Sequence, residues 1–191
     1  LCRASRVKQK ARGLYEDACR QSGNLPEDLA GPARWQPECS RERLLEEGRE
    51  VGIEPRIQRL GEDVAGLQEL LLYGLKGMAA YADHAMILGK EDLSVYAFFH
   101  EALDFLAREA ASVDELLGMV LRCGEINLRV MELLDAANTG AYGQPRPTQV
   151  RIEPLAGKAI LVSGHDLKDL EELLKQTEGT GINVYTHGEM L

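Results

Sequence analysis

His165 and Glu189 are the residues of this chain whose types and spacing could do chemistry. They bracket the stretch GHDLKDLEELLKQTEGTGINVYTHGE, the histidine near its start and the glutamate at its end, 24 residues apart. An imidazole and a carboxylate that converge can hold a metal ion, work as an acid–base pair or share a plain hydrogen bond. Residue types alone leave these three open. As metal donors the pair would suit iron, manganese or zinc, but two donors do not complete a coordination sphere, so the remaining ligands would come from elsewhere.

Whether the two can meet depends on the elements between them. AILVS, Ala159 to Ser163, is an apolar run of strand length; DLKDLEELLKQT, Asp166 to Thr177, has helical periodicity; INVYT, Ile182 to Thr186, is a second β-branched run. Strand, helix and strand within about thirty residues predict a βαβ unit, hence parallel strands and a right-handed crossover. In such a sheet the C-terminal strand ends share one edge, where open α/β sheets bind ligands. His165 follows the first strand by two residues and Glu189 follows the second by three, so topology alone predicts one local site. Gly164 and Gly188 suit tight turns there. Asp166 and Asp169 suit the cap and first turn of the helix, and TEGTG, Thr177 to Gly181, its stop and connector. His187 could support the site or lie on the surface.

The rest reads as mainly α, of three-helix-bundle type. Residues 3–21 and 40–50 are expected helices, Ser40 capping the latter; SGNLPEDLAGP breaks the first and Pro55 marks a loop. From Asp63 to Leu88, Val64, Leu67, Leu71, Leu75, Met78 and Ala82 recur at helical spacing. Gly74, Gly77, Ala79 and Ala80 would let another helix approach closely. A second helix is expected over Leu93–Ala110, with Phe98, Ala102 and Phe105 on its apolar stripe. A third begins at the capping box Ser112 to Glu115 and ends near Asn138 and Gly140. His84 and His100 lie among apolar and aromatic residues, where packing roles are expected. The division predicted is a helical domain over 1–150 and the start of an α/β domain over 151–191.

The totals exclude several classes. A formal charge of −9, concentrated after residue 60, argues against a nucleic-acid backbone as partner. No apolar run of membrane-spanning length and no secretory h-region occur in the sequence, which favours the cytoplasm. Neither G-x-G-x-x-G nor G-x-x-x-x-G-K-[ST] marks a nucleotide site in the α/β region. Cys2, Cys19, Cys39 and Cys123 form no C-x-x-C pair and read as ordinary thiols. A start at Leu1 and a stop just after the motif suggest a piece of a longer protein.

LLLYGLKGMAAYADHA (Leu70 to Ala85), LLDAANTGAYGQP (Leu133 to Pro145) and ILVSGHDLKDLEELLKQTEGTGINVYTHGEML (Ile160 to Leu191) resemble the hybrid cluster protein family, also called prismane proteins or hydroxylamine reductases. Residues 60–191 carry the resemblance; residues 1–55 carry it loosely. It implies a cytoplasmic iron–sulfur oxidoreductase, a helical region of two three-helix bundles followed by α/β domains, and reduction of hydroxylamine to ammonia, with nitric oxide reduction also attributed to the family. It implies two cofactors: a hybrid iron–sulfur–oxygen cluster of 4Fe-2O-2S type, and a cubane cluster, 4Fe-4S or 2Fe-2S, bound by residues outside this chain. By the family's G-H-D and H-G-E-M motifs, His165 and Glu189 would be ligands of the hybrid cluster. None of the four cysteines matches a ligand motif. The partners implied are a small N–O substrate and a redox electron donor. A carbon monoxide dehydrogenase relative shares architecture and a histidine ligand, and the H-G-E-M glutamate favours the hybrid cluster. A cluster-free helical scaffold is the alternative from another class.

Overall fold

At Gly61 the backbone turns to φ 85°, and there the computed structural model divides into two compact units, Leu1–Gly61 and Glu62–Leu191. It describes residues 2–37, 40–108 and 111–190.

The first unit holds α1 (Cys2–Ser22), the single turn α2 (Gly31–Arg34), α3 (Arg41–Glu50) and α4 (Ile53–Leu60). Ser40 caps α3, its Oγ accepting the Arg43 amide at 3.2 Å. Trp35 ties the pieces: Lys8 donates to its carbonyl, and its indole N–H donates to Glu47 at 3.1 Å. Pro55, expected to mark a loop, lies instead in the first turn of α4. First-turn amides have no intrahelical acceptor, so proline's missing N–H costs nothing there. None of this unit's described residues is fully buried.

The second unit supplies the core. Helix α5 (Glu62–Ile87), α6 (Leu93–Ala107) and α7 (Val113–Tyr142) form a three-helix arrangement in which α5 and α7 pack most extensively. The stripe Leu71, Leu75, Met78, Ala82 meets Val95, Phe98 and Ala102 of α6 and Cys123 and Val130 of α7. At the start of α5 the buried positions are Ala65 and Gln68, with Val64 and Leu67 half-buried. Phe105 is likewise half-buried, flanking the core. Helix α6 stops at Ala107, where Arg108 turns extended; the expected terminus at Ala110 lies outside the described residues. Ser112 and Glu115 form the capping box of α7. The stop expected near Gly140 falls at Gly143 instead, at φ 85°, its amide bonded to Thr139 O at 2.9 Å.

Gly74 is the small residue that α7 needs. A Cβ built on it would lie 3.1 Å from Cys123 Sγ, whereas one on Gly77 meets nothing within 4 Å. Ala79 and Ala80, also expected at the helix contact, are exposed. Alanine favours a helix interior over glycine by about 1 kcal/mol. Gly77→Ala is therefore expected to stabilise by about that amount, and Gly74→Ala to gain less until Cys123→Ala removes the sulfur. Urea midpoints of the single and double variants measure this coupling.

Asp92 joins α6 to α7. Its Oδ1 accepts the Ser94 amide at 2.9 Å and its Oδ2 accepts from Arg129 Nε at 2.8 Å. The hydrogen bonds from Ser94 and then Arg129 hold the Asp92 carboxyl down at about 2. A depressed folded-state value stabilises fully above the unfolded value, and the effect is lost as pH falls through the folded one. Asp92→Asn keeps a competent cap and should reduce the fall of the urea midpoint between about pH 4 and pH 2.

After the irregular segment 143–158, β1 (Ala159–Ser163), α8 (Leu167–Thr177) and β2 (Asn183–His187) form the βαβ unit, closed by a 3₁₀ turn, Gly188–Met190. The strands are parallel, from Ala159↔Asn183 to Ser163↔His187. The second strand starts one residue later than expected because Asn183 enters the ladder, its amide bonded to Lys158 O at 2.9 Å. The chain is thus mainly α followed by one βαβ unit. Tyr142 of α7 donates to Glu171 of α8 at 3.0 Å and Tyr185 accepts the Leu155 amide at 2.7 Å, holding this unit to the helices and the connector. Among the described residues no helix is long and apolar enough to cross a membrane.

Candidate functional site

Each strand delivers one functional side chain in the same way. At the last ladder rung Ser163 faces His187, with Ser163 Oγ 3.3 Å from His187 Nδ1. Two residues further along each chain, past Gly164 at φ 144° and Gly188 at φ 65°, stand His165 and Glu189. The ladder offset therefore persists beyond the sheet. His165 Nδ1 lies 3.6 Å from Glu189 Oε2, and the side chains are 46% and 73% exposed. The expectation from topology that these residues meet at one strand edge agrees with this geometry. His187 is exposed, and among the described residues its hydrogen-bond contact is with Ser163, not with His165 or Glu189.

The backbone between β1 and α8 is fixed by Asp166. Its Oδ1 accepts the amides of Lys168 at 2.9 Å and Asp169 at 3.1 Å, the cap expected from sequence. Its other oxygen, Oδ2, lies 3.4 Å from His84 Nε2 of α5. The His84 ring is also 5.4 Å from that of His165, and the Tyr81 ring is 5.5 Å from it at 67°. Sequence reading gave His84 a packing role and did not single out Tyr81. They are three apart on α5, on the flank of the core stripe, and nothing in that spacing points to the strand edge. His100 is exposed on α6 and stands apart.

Along α8, Lys168 and Lys175 bridge Glu171 and Glu172. Lys175 first, then Lys168 and Tyr142, keep the Glu171 carboxyl at about 2, so this face carries fixed charge at neutral pH.

The donor set suits a metal only in part. At about 2.1 Å from one ion to each donor, two donors can be at most about 4.2 Å apart, so one nitrogen and one oxygen at 3.6 Å can serve one ion or adjacent ions. Among the described residues no group of three or more His, Cys, Asp or Glu side chains is placed to hold a metal. Cys123 is buried in the helical core, its thiol pushed up by burial, and Cys19 lies on α1. Cys39 and the side chain of Cys2 lie outside the described residues.

A sequence model of the Prismane/CO dehydrogenase family matches residues 5–191. The chain belongs to that family. The match takes in nearly all of residues 1–55, where the motifs alone gave only a loose resemblance. Among its relatives in the family, a hydroxylamine reductase of Rhodospirillum rubrum is 55% identical over 191 residues, all of this chain and 35% of that protein. One of Acidithiobacillus ferrooxidans is 52% identical over 188 residues, 98% of this chain and 34% of that protein. One of Methanocella arvoryzae is 51% identical over 170 residues, 89% of this chain and 31% of that protein. The chain thus spans about a third of the length of the prismane-family relatives it matches.

Proposed function

We propose that this chain is the part of an iron–sulfur oxidoreductase that brings a histidine and a glutamate to a hybrid iron–sulfur–oxygen cluster, and that the whole protein reduces hydroxylamine to ammonia. The observation that carries the reading is the 3.6 Å approach of His165 Nδ1 to Glu189 Oε2 at the C-terminal strand edge. Identities of 50% or more to proteins named hydroxylamine reductase support it.

In that reading His165 gives a nitrogen donor and Glu189 an oxygen donor, harder ligands than thiolates, and the thiolates come from other parts of the protein. When bound, the cluster supplies electrons and iron for cleavage of an N–O bond. The overall balance is hydroxylamine plus two electrons and two protons to ammonia plus water; a redox donor would supply the electrons, and residues outside this chain would hold a second, 4Fe-4S or 2Fe-2S, cluster. This chain's own residues do the holding. The strand edge presents both donors, Asp166 fixes the loop that carries His165, and α5 backs the imidazole. Nitric oxide is the second N–O compound in this proposal. A helical domain over 1–150, an α/β domain beginning at 151 and a cytoplasmic location complete it, with no nucleic acid or membrane partner.

The test uses the full-length protein. Iron and sulfide bound in stoichiometric amount, with hydroxylamine-dependent formation of ammonia, are expected. A folded protein free of iron would favour the scaffold reading, and oxidation of carbon monoxide without hydroxylamine turnover would favour the dehydrogenase.

A further inference from the structure

The imidazole of His165 is poorly held by its own element. It stands beyond the end of β1, after a glycine at φ 144°, with nearly half its side chain exposed. A donor on such a loop needs support from outside it to point one way. Helix α5 provides that support twice over. The rings of Tyr81 and His84 lie 5.5 and 5.4 Å from the His165 ring, at 67° and 41° to its plane. They also lie edge-on to each other, 6.4 Å apart at 76°. His84 Nε2 then reaches Asp166 Oδ2 at 3.4 Å, the carboxylate whose other oxygen pins the next turn of backbone. One face of one helix thus grips both the ring and the loop that bears it.

We propose that Tyr81 and His84 are positioning residues that form an aromatic slot fixing the direction of the His165 imidazole toward Glu189. The inference rests on His165 serving as a ligand. Neither residue is called on to bind iron or to move a proton. Their contribution is that the nitrogen donor is oriented before any cluster is bound. A plain docking contact between the helices and the βαβ unit would need apolar volume but not rings. The slot needs rings, and at position 84 it also needs a polar atom for Asp166.

The experiment separates these in the full-length protein with labelled histidine. The variants are Tyr81→Phe, which keeps the ring, Tyr81→Leu, which keeps apolar volume, and His84→Gln, which keeps a polar partner for Asp166 but loses the ring. His165→Ala identifies the His165 resonances by their disappearance. In iron-free protein the ring C–H resonances of His165 are expected to move in Tyr81→Leu and His84→Gln and to stay in Tyr81→Phe. Iron retention under a chelator is expected to fall by about tenfold in the first two, the size of effect that outer-shell partners of metal ligands produce, and to be kept in Tyr81→Phe. Unmoved resonances and unchanged retention in Tyr81→Leu and His84→Gln, with retention still lost in His165→Ala, overturn the slot alone. Retention and paramagnetic signal unchanged in His165→Ala overturn the ligand reading, and the inference with it.

Discussion

Under the proposed function, replacing His165 by alanine in the full-length protein is expected to lower hydroxylamine turnover by about 100-fold or more, since changes to groups that merely support a ligand already cost about 10- to 100-fold. The paramagnetic signal of the proposed cluster should change with it. Glu189→Ala is expected to alter that signal too, and its result is simple to interpret. The Glu189 side chain is 73% exposed and lies on the 3₁₀ turn after β2, so its truncation leaves no cavity. A changed signal then reports a lost oxygen donor and not a loosened fold. An unchanged signal in both variants would remove the pair from the ligand set.

Phe98→Ala should be the most damaging single change to the helical core. Phe98 is 1% exposed on α6, between the stripe of α5 and the Cys123–Val130 face of α7, and Arg122 lies over its ring at 5.4 Å. Truncating a buried phenylalanine costs about 3–5 kcal/mol through lost transfer energy and the cavity left behind. A domain's whole stability is about 5–15 kcal/mol, so the urea midpoint should fall by a large fraction of its wild-type value. Leu121→Ala, at an exposed position of α7, is the control and should barely move it.

These two predictions draw on parts of the molecule that differ in how they could be read from sequence. The βαβ unit was legible because its three periods are unmixed: a run of apolar residues, an amphipathic helix with Asp166 as cap, and a second β-branched run. Parallel pairing then follows from the length of the crossover, and the meeting of His165 with Glu189 follows from the pairing. The errors were local. Gly140 looked like a helix stop, yet α7 runs through it to Gly143, where the backbone does turn to φ 85°. Pro55 looked like a breaker, but its effect depends on position within the helix, which periodicity over eight residues cannot fix.

Tyr81 and His84 were illegible for a different reason. They precede His165 by some eighty residues, and nothing in their own helix calls for a ring or an imidazole at those positions. Only the seating of the strand edge against α5 gives them a partner, and that seating is a tertiary fact. The same holds for Gly74, whose neighbour Cys123 lies on another helix.

The irregular segment 143–158 joins the helix that ends at Tyr142 to the strand that begins at Ala159. Because both sides of the site are chained together, their association is intramolecular, and the segment sets an effective concentration rather than a geometry. Doubling a flexible loop lowers that concentration by a factor worth only about 0.6 kcal/mol. Leu155 and Lys158 already touch β2, so the slack lies before them. Residues inserted between Gln144 and Glu153 should therefore leave the contact of His165 with α5 intact, while a single insertion within Tyr81–His84 would turn one of the rings away.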